Sequence, residues 1–370
     1  MEIIAFYLPQ YHPTPHNNEW WGEGFTEWTN VAKAKPLFRG HYQPKIPADL
    51  GFYDLRMPEV KEKQVELARE AGVTGFCYYH YWFGNGHEEL ELPFNQVVES
   101  GKPDFPFCLC WANESWYKKF WNKDGDVTDK KVLAEQMYPG EEDNKKHFYS
   151  LLRAFKDNRY CKIDGKLVFG IYRPLEFQNL DKFVNQWNEL AKENGLPGFF
   201  FFGYTINVEK EYAPIKQTGV NAVVSFRRNR DTIRSLGWGI RKGLSILFHT
   251  PRRQRYENAI KTLVSDEERK DDVFPVMIPN WDHTPRSGVN GDLYTNSTPD
   301  LFEKHALDVL EHIKDKPQGR QIAFLKSWNE WGEGNYMEPD LKYGKGFIRA
   351  LKSAIETVKK HREPQNNARC

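Results

Sequence analysis

The sequence predicts one α/β domain, a (β/α)8 barrel of the TIM type with insertions after strands 3 and 6, spanning residues 1–370. Three observations point there. Eight short apolar runs recur along the chain, amphipathic helical stretches lie among them, and most of the runs are continuous rather than alternating. Continuous apolar runs are the pattern of parallel strands covered on both faces. A doubly wound sheet is the alternative. However, no strand is followed by GxGxxG or GxxxxGKS/T, so nothing is built to cradle a dinucleotide or an NTP.

The first run is IIAFYL at 3–8, and a helix at 58–72, opened by Pro and closed by Gly, leads to TGFCYYHYWF at 74–83. The third run, FPFCLCWAN at 105–113, precedes an insertion that reaches about residue 143. Helices at 144–156 and 180–195 then alternate with LVFGIY at 167–172 and FFFFGYTI at 199–206. NAVVSF at 221–226 is the sixth strand, followed by the second insertion, 227–255, with nine Lys/Arg against one Asp. The remaining expectations are a helix at 253–268, VFPVMIPNW at 273–281, a helix at 298–315, IAFLKSWNE at 322–330 and a closing helix at 344–361.

A formal net charge of +1 excludes a global field for nucleic acid, so no nucleic-acid partner is expected. The basic insertion reads by default as a solvated face around a small packed helix. A sharper expectation is peripheral contact with an anionic membrane or a lipid-linked or acidic glycan through 227–255. Cys77, Cys108 and Cys110 sit in strand-like runs and read as buried free thiols, which suits a reducing compartment. With no secretory leader pattern and no apolar stretch of about 18 residues, the expectation is a cytoplasmic protein. Nothing in the sequence sets an oligomeric state.

Reacting groups of such barrels lie at the carboxyl ends of the strands. Those positions hold Tyr11 and His12, Tyr79 to Trp82 (with His80 and Tyr81 between), Trp111, Asn113 and Glu114, Tyr172 and Tyr204. Asn280, Trp281, Asn329, Glu330, Trp331 and Glu333 complete the rim. Rings that stack on sugar C–H faces beside amides and carboxylates that bond hydroxyls suit a carbohydrate. The sharpest signal is SWNEWGEG at 327–334. Gly332 and Gly334 permit a tight turn that brings Glu333 back toward Glu330. Paired carboxylates divide into an ionised base or nucleophile and an acid of raised pKa, and a pair about 5 Å apart predicts retention at the anomeric carbon. His80, between two tyrosines, is a candidate partner for a substrate hydroxyl. DGD at 124–126 reads as a solvated turn, and the prolines between His12 and His16 argue against a zinc site there.

The motifs AFYLPQYHP, WWGEGFTEWTNVAKAKPLFRGHYQP, GFCYYHYWF, FCLCWANESW and SWNEWGEGNYMEPD run through essentially the whole chain. In them it resembles the WbsX-type, glycoside hydrolase family 99-like proteins, which are linked with surface polysaccharide or O-antigen (lipopolysaccharide) biosynthesis and often described as glycosyltransferases. The resemblance implies a retaining enzyme on a (β/α)8 barrel, with no metal and no cofactor in the chemical step. It also implies roles. Glu330 would deprotonate the substrate's own 2-hydroxyl, which attacks C1 to give a 1,2-anhydro sugar, and Glu333 would protonate the leaving oxygen and then activate water. An α-mannoside-like linkage suits that scheme. Trp20, Trp21, Glu27 and Trp28, in the loop after strand 1, are expected to form a substrate wall, with Glu27 favoured over Glu23 because it belongs to the GFTEW core. Hydrolysis is the expected activity, with transfer in surface polysaccharide assembly or a non-catalytic glycan-binding barrel as alternatives.

Overall fold

The computed structural model describes residues 1–121, 127–227 and 250–362. Eight parallel strands close a barrel. They are β1 (Glu2–Tyr7), β2 (Gly75–Gly84), β3 (Phe107–Trp111), β4 (Lys166–Ile171), β5 (Phe199–Thr205), β6 (Ala222–Ser225), β7 (Val273–Met277) and β8 (Ile322–Leu325). Each pairs with its sequence neighbour, and β1 closes the ring with Glu2 opposite Ile322 and Ile4 opposite Gly75. The apolar runs are buried on both faces, as the continuous pattern demands; all ten residues of β2 are buried.

Inside, the layers interdigitate by size. Phe6 and Phe202 each pack on Phe324, with ring centroids 5.2 and 5.1 Å away. Gly170 makes room for Phe202, since a Cβ there would lie 2.3 Å from the ring. Outside, the helices use their apolar stripes. Trp187 of the helix Leu180–Glu193 is fully buried and packs on Phe169 of β4 at 4.8 Å.

The chain departs from the sequence expectation in several places. The predicted helix at 253–268 is instead a strand, Arg252–Arg255, paired with Asp292–Thr295, a one-turn helix Tyr256–Ala259 and two 3-10 turns. Local chemistry breaks the helix: Ser265 and Glu268 form a capping box that starts a new turn. The eighth strand ends at Leu325, not 330, and Asn329–Glu330 pair instead with Asn335–Tyr336 in a small antiparallel ladder. Helices Leu92–Ser100 and Val208–Gln217 complete the outer ring, and two more, α1 (Pro15–Trp21) and α2 (Glu27–Lys33), fill the loop after β1. The insertion after β3 folds as a hairpin of Trp116–Trp121 with Val127–Ala134. DGD at 124–126 and most of the basic insertion, 228–249, lie outside the described residues. Cys77, Cys108 and Cys110 are buried free thiols. Among the described residues no helix is long and apolar enough to cross a membrane.

Candidate active site

Beyond β8 the chain is held by side chains rather than by the barrel ladder. Asn329 accepts from Leu8 N (2.8 Å) and donates to Leu8 O (3.0 Å), so its amide prolongs the β1–β8 seam. Tyr11 donates to Asn329 O (2.6 Å) and accepts from Trp331 N (3.0 Å), while Ser327 Oγ accepts from Glu330 N (2.9 Å). These contacts fix the backbone on both sides of Glu330. Gly334, at φ 65°, takes the left-handed turn that returns the chain.

Gly332 has a different task. A Cβ there would lie 1.9 Å from Glu27 Oε1, so its missing side chain is what admits Glu27 from α2. The second WGEG therefore meets the FTEW that follows the first, with the Trp28 and Trp331 rings 5.5 Å apart.

At the meeting point stands Arg286, from the one-turn helix Thr284–Ser287 after β7. Its Nε donates to Glu27 Oε1 (2.8 Å), Nη1 to Glu333 Oε1 (2.7 Å) and Nη2 to Glu330 Oε1 (2.6 Å). One guanidinium thus joins the carboxylates from opposite ends of the chain, through charge-assisted bonds of the strong kind. Sequence reasoning missed Arg286. A lone Arg in the strand-7 rim loop HTPRSG has no motif around it, and the only available hint was that three converging carboxylates need a cation.

Burial raises the Glu330 carboxyl to about 7, Arg286 opposing this and Glu333 adding to it. Glu330 is the group that the sequence resemblance makes the base. A base near 7 is half-ionised at neutral pH and still able to take a proton. Arg286 itself keeps its proton, since the three glutamates outweigh burial.

Tyr79, Tyr81, Tyr172 and Tyr204 surround this centre. All four phenols are pushed up by burial first and then by neighbouring charges, Glu330 acting on Tyr79 and Tyr81, and Glu333 on Tyr172 and Tyr204. Tyr172 stacks on Tyr204 at 4.7 Å, and the aromatic line continues through Phe226 to Trp281. Lys326 Nζ donates to Tyr79 Oη at 3.0 Å. Glu114 bonds the Arg173 guanidinium, and Asn113 braces the same loop by accepting from Arg173 N at 2.7 Å.

Other predicted site residues lie elsewhere, and strand alternation is the main reason. Tyr79 and Tyr81 share one face of β2, so His80 and Trp82 take the other and pack on the helix Glu141–Phe155. There His80 Nε2 lies 2.7 Å from His147 Nε2, and Trp82 donates to Asp143 Oδ2 (3.0 Å). Burial lowers His80 to about 3. Trp111 points to the same helical layer, packing on Phe183 and donating to Trp82 O. These three are corrections to the expected substrate contacts. Trp331 is likewise enclosed, stacked on Tyr336 at 3.7 Å with its indole donating to Glu338 Oε2 (2.6 Å). Tyr11, Asn329 and His12, whose Nδ1 meets Pro9 O at 3.0 Å, are buried braces. Trp28 is buried and donates to Tyr53 O, whereas Trp21 is 42% exposed and Trp20 half-buried against Trp116. Glu23 is exposed and accepts from Asn18 Nδ2 (3.2 Å).

Among the described residues, His16, His87 and Glu89 could hold a metal, their ligand atoms lying within 4.8 Å of one another. As they stand, Glu89 Oε1 bonds both rings and ties α1 to the short strand His87–Glu89, which pairs antiparallel with β2.

The fold and this rim define the class: a closed (β/α)8 barrel with a carboxylate cluster at its carboxyl end. The chain belongs to the glycosyltransferase WbsX family, whose sequence profile matches residues 3–351. It is 33% identical over 366 residues to the uncharacterized protein WxcX of Xanthomonas campestris pv. campestris, in two strains. That match covers 95% of this chain and 49% of the relative, so the chain spans about half the length of the curated relatives it matches. Among solved structures, the GH99 endo-alpha-mannosidase from Bacteroides thetaiotaomicron in complex with Bis-Tris propane superposes with a TM-score of 0.58 at 15% identity, covering 98% of both chains. A glycoside hydrolase-like protein gives 0.57 at 14% identity, covering 95% of this chain and 93% of its own. These likenesses concern the fold.

Proposed function

We propose that the chain is a carbohydrate-active enzyme of the retaining type, acting on an oligo- or polysaccharide at an α-mannoside-like linkage. The observation that carries the reading is the Arg286 hub, which holds Glu330 and Glu333 on one guanidinium at the carboxyl end of the barrel. Two carboxylates held on one guanidinium suit the close pairing of retaining enzymes. Glu330, raised to about 7, takes the proton of the sugar's 2-hydroxyl as that oxygen attacks C1. Glu333, which is more exposed, protonates the departing oxygen and afterwards deprotonates the incoming nucleophile. Arg286 keeps both carboxylates oriented before substrate arrives, and substrate hydroxyls take over part of its hydrogen bonding. Tyr81, Tyr172 and Tyr204 supply ring faces and hydroxyls around the sugar.

The test is turnover of α-mannosides and bacterial surface glycans by wild type, Glu330→Gln and Glu333→Gln, with the anomeric outcome followed by NMR. Loss of turnover in both variants and net retention are expected. Full activity in both, or inversion, would remove the assignment.

The family's description as glycosyltransferase favours a second reading, in which a sugar hydroxyl replaces water in the second step. The same residues serve it. Product analysis with and without an acceptor glycan separates transfer from hydrolysis.

A further inference from the structure

A second concave site adjoins the Glu333 loop on the side of loop 37–45. It is a cavity of about 320 Å³ whose lining includes Asp282 and Gly334, and Asp282 N donates to Glu333 O at 2.7 Å. That size is at the lower end of small-molecule pockets.

Its polar groups are unequal in what they leave available. Asp282 Oδ2 accepts from Gln43 Nε2 (2.7 Å) and faces His41 Nε2 (2.9 Å), and Oδ1 accepts from Thr284 Oγ1 (2.6 Å) and N (3.1 Å). Because His41 Nδ1 accepts from Leu37 N, its Nε2 carries the proton given to Asp282. Asp340 is equally saturated, by Tyr336 Oη and the Lys342 and Tyr343 amides. Both carboxylates are thus engaged by donors within the protein.

The cations are not. Lys45 is 3% exposed and its Nζ makes no hydrogen bond to any described residue; Asp282 Oδ2, 3.9 Å away, is its ion partner. A buried amino group with unused donors is among the more costly arrangements in a protein interior, and burial lowers its pKa against the opposing charge of Asp282. Ser297 Oγ, at a residue 9% exposed, and Asn280 Oδ1 are also without hydrogen-bond partners among the described residues, and both residues line the same space. At the rim, Lys342 Nζ lies 4.7 and 4.8 Å from the Tyr42 and Tyr343 ring centroids, which bring flat apolar faces to the mouth.

We propose that this cavity is a second sugar subsite selective for an anionic sugar, its negatively charged oxygen received by Lys45 and its hydroxyls by Asn280 and Ser297. The proposal rests on the reading that the chain handles glycans, and it adds the chemical class: an acidic repeat unit bound beside the reacting linkage. A carboxylate on a uronic acid and a phosphate ester on a hexose share this chemistry.

The experiment is calorimetric titration of the full chain with three probes: a glucuronic acid-containing disaccharide, mannose 6-phosphate and neutral mannobiose. At least one acidic probe is expected to bind about tenfold more tightly than mannobiose, as a charge-assisted bond requires. That preference is expected to vanish in Lys45→Met and to fall in Lys342→Ala, a rim change that keeps the test open if Lys45→Met does not fold, while Ser297→Ala is expected to weaken acidic and neutral probes alike. Which acidic probe binds identifies the anion. Equal binding of neutral and acidic probes, or acidic binding unchanged in the Lys45 and Lys342 variants, would overturn the proposal. Glu330→Gln separates the two readings: cavity binding is expected within about twofold of wild type there, and its loss would place the ligand on the glutamates instead. Inactive glutamates with intact acidic binding would sink only the catalytic assignment.

Discussion

Replacing Arg286 with Met removes the one cation shared by Glu27, Glu330 and Glu333. Two of those carboxylates are 3% and 4% exposed, so solvent cannot take over its role. Breaking a buried pair by deleting one partner costs about 3–5 kcal/mol. At pH 8 the upper part of that range applies, because three negative charges are left facing one another; in a chain of this size it corresponds to a fall in Tm of about 6 °C. Acid relieves the variant. Without Arg286 the Glu330 carboxyl, which burial already raises, loses the charge that opposes the rise, so the folded variant binds more protons than the unfolded chain. Its stability is fully present below the unfolded carboxylate pKa and is lost as pH rises through the folded value. The deficit relative to wild type is therefore expected to shrink to about 1–2 kcal/mol at pH 5. Urea denaturation of both proteins at pH 5 and pH 8 measures it. A deficit independent of pH, or under about 1 kcal/mol at pH 8, would refute the reasoning.

Three further outcomes follow from the same geometry. The kcat/KM of the wild type is expected to rise with pH through an apparent pKa near 7 as Glu330 ionises, and a flat profile across that value would remove Glu330 as base. Gly332→Ala puts a methyl group 1.9 Å from Glu27 Oε1, so it is expected to detach Glu27 from Arg286 and cost about 1–3 kcal/mol; a crystal structure with the Glu27–Arg286 bond unchanged would contradict this. Glu338 accepts from Tyr53, Gln64 and Trp331, and burial, only partly opposed by those donors, raises it to about 7. Wild type thus loses this group's contribution as pH rises toward 7. Glu338→Gln, which cannot satisfy three donors, is expected to cost about 1–3 kcal/mol at pH 5 and less at pH 8; a penalty that grows with pH would count against the assignment.

The barrel was legible because its signal is redundant: eight continuous apolar runs each had to be buried on both faces, and all eight pair as barrel strands. Trimmed strand ends were not legible, since KSWNE after Leu325 contains no Gly or Pro to mark a break but leaves the ladder for contacts with Leu8 and Tyr11. Glu27 was expected beside the cleft, but not the cation that ties it to Glu330 and Glu333. Arg286 acts through three residues far from it in sequence, so no local pattern marks it. For His80, Trp82 and Trp111, reading the rim as a list of chemistries ignored the two-residue period that turns them toward the helices.

The Asn329 amide that bridges to Leu8 joins residues 321 positions apart, and this has a consequence for how the protein is made. During synthesis β1 leaves the ribosome first, yet one of its two edges stays without a neighbour until almost the whole barrel has been translated. An unpaired edge held open that long is a template for association with other nascent chains. Closure is then a single late event of very high sequence separation, which makes it slow. The glutamates and their arginine come together in that same event, so the incomplete chain has no carboxylate pair and no reactive centre to expose.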